Sequence, residues 1–281
     1  MLKRQPIFPH VIELNHQARR RISCAVYLIF DDDGSWALID IGYEDAVDEC
    51  LEIIRQLDFP FSKCVTLIAS HADVDHFGGN AAILRSFPQA LVLAHVRDVP
   101  WIESADRILR ERYGWYEAHG LAYPPDVFDW LRDAMGVDTP VDIRVGGGEQ
   151  IRLGAELVVD VLHLPGHTDG HLGLWEPRSR TAIVMDAVMA GGLLDTEGNV
   201  VHPPPYFDID AYLGSVRTLQ ALAPARLLTA HYDVIEGDAV KRFLEDTAAF
   251  VEDAGAVVAS ALAERGTVTL ADVLAAGDAA L

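Results

Sequence analysis

Val65-Thr66-Leu67-Ile68-Ala69-Ser70-His71-Ala72-Asp73-Val74-Asp75-His76-Phe77-Gly78-Gly79-Asn80 is the stretch that decides the fold. Its first part is an apolar run with β-branched residues, which predicts a buried strand. Its second part interleaves His71, Asp73, Asp75 and His76 where that strand must turn into a helix. Such a turn splays alternate side chains into one pocket, so the segment can serve two metal ions. Imidazole mixed with carboxylate suits Zn²⁺, Fe or Mn better than Ca²⁺ or Mg²⁺, which prefer all-oxygen shells. An ordinary helix N-terminus also attracts Asp, because a carboxylate caps free N–H groups and complements the dipole. That explains one Asp and leaves the interleaved His and the second Asp unexplained.

Composition excludes several function classes. The 43 acidic residues outweigh 22 basic ones and leave a net charge of −21, so binding to a nucleic-acid backbone has no electrostatic support. The basic clusters Lys3-Arg4 and Arg19-Arg20-Arg21 are too short to alter that. Cys24, Cys50 and Cys64 are an odd number at wide spacing, without a Cys-x-x-Cys pair, and read as reduced, buried thiols. No apolar run approaches the length of a membrane span, and Met1-Leu2-Lys3-Arg4-Gln5-Pro6 leads into none. The expectation is a cytoplasmic protein with no membrane partner.

Outward from the opening stretch, the pattern alternates strands and helices. Residues 22–30 and 36–41 read as a hairpin about Asp31-Asp32-Asp33-Gly34-Ser35, followed by a helix over 44–57 that stops before Pro60. A helix is expected over 78–87 and a strand over 90–94. Residues 97–135 break the rhythm with helical spacing and a concentration of aromatics: Trp101, Tyr113, Trp115, Tyr116, Tyr123, Phe128 and Trp130. They read as an insertion over the site, either as a lid or as a helical pair with its own small core. Strands resume over 142–145, 150–153, 157–164, 172–175 and 181–185. Residues 192–207, with Pro203-Pro204-Pro205, read as a loop, 210–222 as a helix and 226–229 as the last strand. Gly146-Gly147-Gly148 is a turn, because it lacks the Lys-Ser/Thr of a phosphate loop. A long amphipathic helix covers 238–263, and Thr269-x-x-Asp272 caps a short final helix. This divides the chain into a catalytic domain, 1–237, and a C-terminal helical extension, 238–281.

Further metal-competent residues close expected strands: His167 in Leu164-Pro165-Gly166-His167-Thr168-Asp169-Gly170-His171, then Asp186, then His231. Strand ends along one sheet edge are where an α/β architecture gathers a site. In this order the chain resembles the metallo-β-lactamase fold superfamily, marked by His-x-His-x-Asp-His after a strand, a later Gly-His, a bridging Asp and a last His. Leu38-Ile39-Asp40-Ile41-Gly42 is similar to that family's early strand, which ends in Asp and Gly. The resemblance spans about residues 20 to 235. It implies an αββα sandwich of two mixed β-sheets flanked by helices. It also implies one metal ion on His71, Asp73 and His167, a second on Asp75, His76 and His231, and Asp186 bridging them. His163 and His171 match no ligand position and are expected in supporting roles.

Some residues depart from the family pattern. Met185 and Ala230 stand where Gly is common, which reads as variation in packing. Asp73 stands where the family usually has His, adding a negative charge and a harder ligand, which tilts preference toward Fe or Mn while Zn stays first. The resemblance implies a hydrolase in which metal-bound hydroxide attacks a substrate carbonyl, with Asp75 and Asp186 as catalytic residues. The substrate class is a small ester, lactone, thioester or β-lactam, and Tyr206 and Tyr232 are candidate oxyanion contacts. Flavodiiron proteins, similar members with Glu at the Asp73 position, make a di-iron oxidoreductase the alternative. A non-catalytic metal-binding module is disfavoured, since every ligand position holds a competent residue. Whether the C-terminal helices form a homodimer or pack back on the sandwich stays open.

Overall fold

Alternation along Ala25–Phe30 builds two cores at once: Tyr27 and Ile29 join one buried cluster, Val26 and Leu28 another on the opposite face. The computed structural model describes residues 6–8, 10–15, 22, 24–195 and 197–280. The clusters Lys3-Arg4 and Arg19-Arg20-Arg21 lie outside them. Strands β1 (Pro6–Phe8), β2 (Val11–Asn15), β3 (Ala25–Phe30), β4 (Trp36–Ile39), β5 (Cys64–Ile68), β6 (Leu91–His95) and β7 (Ile143–Val145) form a seven-stranded sheet in that order. It is antiparallel from β1 to β4 and parallel from β4 to β7.

Next along the chain come β8 (Gln150–Leu153), β9 (Leu157–His163), β10 (Leu172–Glu176) and β11 (Thr181–Ile183). A small hairpin of β12 (Leu193–Leu194) and β13 (Val200–His202) separates them from β14 (Arg226–Leu228) and β15 (Ile235–Glu236). The second sheet is six-stranded in the order β15-β14-β11-β10-β9-β8, and only β11 and β14 pair parallel within it. Inward side chains of both sheets, among them Tyr27, Ile39, Ile68, Val159, Leu174 and Leu228, meet in one core. The Tyr27 hydroxyl crosses it to donate to Thr229 O at 2.7 Å.

Helices cover both outer faces. Helix α1 (Val47–Gln56) buries Val47, Cys50, Leu51 and Ile54 against Val26, Leu28 and Leu38 of the first sheet. A separate short helix, α2 (Val74–Phe77), lies inside the metal motif, and the helix expected over 78–87 is the shorter α3 (Asn80–Leu84). The insertion is helical as expected: α4 (Val99–Ile102), α5 (Ala105–Ile108), a π turn at Leu109–Tyr113, a 3₁₀ turn at Trp115–His119 and α6 (Pro125–Met135). On the second sheet, α7 (Ile209–Leu222) and α8 (Asp238–Arg265) share a core with Trp175, Ala182 and Leu227 through Tyr212, Val216, Leu219, Val240, Leu244 and Val251. The C-terminal helix therefore packs back onto the sandwich along its first half. In α9 (Leu270–Ala280) Thr269 and Asp272 exchange the reciprocal bonds of the expected capping box. Among the described residues no helix is long and apolar enough to cross a membrane.

The layers are the expected αββα sandwich of two mixed sheets, and the differences are local. The strand expected over 22–30 is the shorter β3, beginning at Ala25, with Ile22 making only an isolated bridge to Asp195. The stretch 192–207 holds the β12–β13 hairpin, too short to leave a period in the sequence. Trp36 anchors the first outer core: it is fully buried, its Nε1–H donates to Pro60 O at 2.9 Å, and Phe87 meets it edge-on at 5.0 Å. Trp36→Ala should lower unfolding free energy by about 3–5 kcal/mol in a urea titration. A loss below about 1 kcal/mol would mean that this core is not packed around the indole.

Candidate metal centre

Parallel register delivers the site. Ile183 of β11 pairs with Leu228 of β14, so Asp186 and His231, each three positions further on, emerge side by side. Ile39 of β4 pairs with Ile68 of β5, which sets Asp40 beside Ser70 and the His71–His76 turn. The Gly166-His167 loop follows β9. All these segments leave strand ends on one edge of the sandwich, where an open α/β arrangement concentrates its chemistry. Two backbone positions are demanding. Gly166 has φ +133°, and a Cβ there would lie 2.2 Å from Tyr212 Cα, so only Gly fits before His167. Met185 adopts φ +46°, a left-handed conformation that disfavours side chains. That is the physical reason Gly suits this place, and Met185 is strained there rather than merely repacked.

A single carboxylate oxygen stands among four imidazoles. Asp186 Oδ2 lies 4.0 Å from His71 Nε2, 3.5 Å from His76 Nε2, 4.0 Å from His167 Nε2 and 3.2 Å from His231 Nε2. Asp75 Oδ2 is 3.7 Å from the Nε2 atoms of both His76 and His231. Asp73 Oδ2 is 3.6 Å from His71 Nε2 and 2.8 Å from His167 Nε2. The structure thus brings every residue of the expected ligand set into one cluster, its imidazoles and Asp186 buried and Asp73 and Asp75 half-buried at its open side.

Hydrogen bonds fix which ring nitrogen faces inward. Asp40, fully buried with φ +61°, accepts from Ser70 N–H at 2.7 Å, from Ser70 Oγ–H at 2.8 Å and from His76 Nδ1–H at 2.7 Å. With its proton given to Asp40, Ser70 Oγ accepts from His71 Nδ1–H at 2.9 Å. His167 Nδ1–H donates to Pro205 O at 3.0 Å. In all three rings Nε2 keeps its lone pair and points it at the cluster. His71 Nε2, His76 Nε2 and Asp186 Oδ1 are buried without a hydrogen-bond partner. Buried acceptors facing acceptors are costly unless a cation sits between them.

The set fits divalent cations. Ligand atoms around a tetrahedral zinc, at bond lengths near 2.0–2.1 Å, are separated by about 3.3 Å. The contacts among Asp75, His76, His231 and Asp186 run from 3.2 to 3.7 Å. Those among His71, Asp73, His167 and Asp186 spread from 2.8 to 4.0 Å. Cys24, read from sequence only as a buried thiol, joins Asp75, His76 and His231 in a group whose ligating atoms all lie within 4.8 Å of one another. Burial pushes its thiol pKa up, and Sγ–H donates to Asp75 O at 3.3 Å.

The carboxyls differ electrostatically. Burial alone would raise Asp73, but the adjacent Arg112 guanidinium holds it well below the usual carboxylate range. Burial is likewise outweighed at Asp186, which His231 and His76 hold low. At Asp75 burial prevails and raises the carboxyl. Arg112 was not visible as a site residue in the sequence. Its Nε donates to Asp73 Oδ1 and its Nη2 to Asp73 Oδ2, both at 2.5 Å, while the Tyr113 hydroxyl donates to Oδ1 at 3.1 Å. Asp73 occupies the N-cap position of α2 yet makes no side-chain cap bond, so helix capping does not account for it. Asp98 was also missed. It accepts from Ala72 N–H, Thr168 Oγ–H and Gly170 N–H, binding the two ligand loops together.

A cavity of about 260 Å³ opens beside Asp73 and Asp75, walled by Tyr113, Trp115, Tyr116, Tyr123 and Trp130 of the insertion with Tyr206 and Phe207 opposite. Trp101 and Phe128 lie against the first-sheet core instead. The Tyr206 hydroxyl is buried without a partner. The other candidate oxyanion contact, Tyr232, donates its hydroxyl to Met189 O at 2.6 Å, packs on Phe243, and is not in the cavity wall. His163 bonds Asp169 O at 2.9 Å and stacks on His95, while His171 stacks on His71 at 4.6 Å, backing its ring.

Residues 19–231 match the family model of the metallo-beta-lactamase superfamily. Among curated relatives, hydroxyacylglutathione hydrolase GloC of Haemophilus influenzae is 26% identical over 208 residues, covering 74% of this chain and 81% of its own. The probable metallo-hydrolase YflN of Bacillus subtilis is 24% identical over 205 residues, 70% of this chain and 75% of its own. A metallo-beta-lactamase family protein from Thermus thermophilus shares the fold with a TM-score of 0.71 at 20% identity, over 92% of this chain and 83% of that one. Since Asp40 sets the orientation of His76 and, through Ser70, of His71, Asp40→Asn should leave the fold intact by circular dichroism. Asn tolerates the left-handed backbone, yet metal affinity should fall about 10- to 100-fold. Unchanged metal binding in equilibrium dialysis would show that Asp40 does not orient the rings.

Proposed function

The chain belongs to the metallo-β-lactamase superfamily, and from that premise we propose that it is a metal-dependent hydrolase with a dinuclear centre acting on a small, neutral, partly apolar ester, lactone or thioester. The observation that carries this is the convergence of inward lone pairs from His71, His76 and His167 on Asp186, whose Oδ2 lies within 4.0 Å of all three Nε2 atoms. One ion is assigned to His71, Asp73 and His167, the other to Asp75, His76 and His231, with Asp186 between them. Zn is the first choice, with Fe and Mn open. Divalent cations held there supply water acidified to near-neutral pKa and a Lewis acid for a carbonyl oxygen.

The chain's own residues do the rest. Asp75 is the cluster carboxyl that burial raises, and it faces the cavity. Its other oxygen, the one not turned to His76 and His231, is assigned as the acceptor of the proton released when water attacks. Burial raises the Tyr206 phenol and keeps it a neutral donor, placed in the cavity wall for the oxygen that gains charge. The aromatic walls exclude water and take the apolar part of the substrate.

Charge argues for a neutral substrate. The chain carries −21 overall, and the guanidinium in the cavity wall is already paired with Asp73. An anionic substrate would approach a repulsive field. The name of the Haemophilus relative keeps a thioester among the compounds to test. The oxidoreductase alternative rests on the extra negative charge of Asp73; Arg112 offsets that charge at 2.5 Å, which removes its motivation.

Zinc-loaded protein assayed on aryl and alkyl esters, lactones, thioesters and a β-lactam should turn over at least one of the neutral compounds. His76→Ala and Asp186→Ala should abolish that turnover while remaining folded. Full activity in either folded variant would overturn the assignment. Tyr206→Phe should lower kcat about a hundred-fold with KM little changed. An unchanged kcat would return Tyr206 to a packing role.

A further inference from the structure

We propose that Arg112 makes the two metal positions unequal, so that the position at Asp75, His76 and His231 fills first and the position at His71, Asp73 and His167 binds its ion far more weakly. This rests on the metal-centre reading above and adds to it a property of one residue outside the ligand set.

Both oxygens of Asp73 are taken by the Arg112 guanidinium, and Tyr113 takes a further lone pair of Oδ1. A carboxylate so engaged is a weaker donor to a metal than a free one. The guanidinium does not stop at Asp73. Its Nη1–H donates to His167 O at 3.3 Å, and Nη2 lies 3.4 Å from His167 Nε2, the atom that would ligate. A fixed positive charge therefore sits at the edge of that coordination space. The side chain is only 10% exposed, so solvent screens little of its repulsion for a dication.

Asp75 offers the contrast. Among the described residues no guanidinium or ammonium lies within ion-pair distance of it, and its oxygen faces imidazoles at 3.7 Å. The regular spacing around Asp75 and the irregular spacing around Asp73 follow the same division. The backbone itself sets up the Arg112 contact. Arg112 and Tyr113 close the π turn at Leu109–Tyr113, where Gly114 N–H reaches back to Leu109 O at 2.7 Å. The wider turn aims two consecutive side chains at one carboxylate. Trp101 backs the guanidinium at 5.9 Å. Asp73 in place of the family's usual His, and the cation that neutralises it, thus form one unit supplied by two distant segments.

The test is equilibrium dialysis of the purified protein against buffered free Zn²⁺ at graded levels, with bound zinc measured by elemental analysis and folding followed by circular dichroism. Wild type should take up one ion per chain and then a second at a free zinc level at least about ten-fold higher. Arg112→Met should tighten the second step by about ten-fold or more and leave the first in place, whereas Arg112→Lys, which keeps the charge, should retain a weak second step. A variant that merely damaged the site would lose affinity, so a gain separates the proposal from a structural role. Two equal steps in wild type, or a weaker second step in Arg112→Met, would overturn the proposal while leaving the dinuclear reading intact. No zinc uptake by wild type at any level would overturn both.

Discussion

Lone pairs facing lone pairs in a buried space are the constraint on which the rest of this molecule depends. Three imidazoles are locked by Nδ1–H bonds to Asp40, Ser70 and Pro205 so that Nε2 points inward, toward the buried Asp186 and the half-buried Asp73 and Asp75. Left to itself such a cluster is unfavourable, because His71 Nε2, His76 Nε2 and Asp186 Oδ1 have lost water and gained no donor. Divalent cations turn the same arrangement into a favourable one. The sandwich exists in a form that can hold this tension: two sheets bonded core to core, with the site residues on the short segments just past paired strand ends. Backbone strain at Met185 and the forced Gly166 sit in those same segments. Unusual backbone is expected where geometry is held for chemistry.

Charge balance is the second theme. A chain with 43 acidic and 22 basic residues has few cations to place in its interior. One of them, Arg112, nonetheless stands beside the cluster, on the carboxylate that distinguishes this chain from the usual family pattern. The insertion that carries Arg112 also furnishes the aromatic wall of the adjoining cavity. A single segment thereby shapes the apolar space and places a positive charge beside the cluster.

Much of this was legible in the sequence because it is local. The strand at 64–68 announces itself by composition, the His71–His76 turn by density of ligating residues, and His167, Asp186 and His231 by standing at strand ends in a set order. The αββα layering was implied by the family that this order resembles. The C-terminal capping box was readable from Thr269 and Asp272 alone. What escaped was non-local. Arg112 lies 39 residues from Asp73 among several similar arginines, and nothing in its neighbourhood marks it out. The signal was at the other end, since a buried carboxylate added to a cluster of carboxylates calls for a cation. Asp40 was noticed as part of a family-like strand, but its hold on His76 and Ser70 becomes visible only when β4 and β5 are paired. Cys24, Asp98 and Tyr232 show the same limit: their partners are set by the tertiary fold.

The most direct test of the central claim is anomalous diffraction from crystals of the full chain grown at saturating zinc, with data on both sides of the zinc absorption edge. Two anomalous peaks are expected on either side of Asp186, one among Asp75, His76 and His231 and the other beside His71 and His167. An absence of peaks at Asp186, or zinc bound only at surface carboxylates, would contradict that claim.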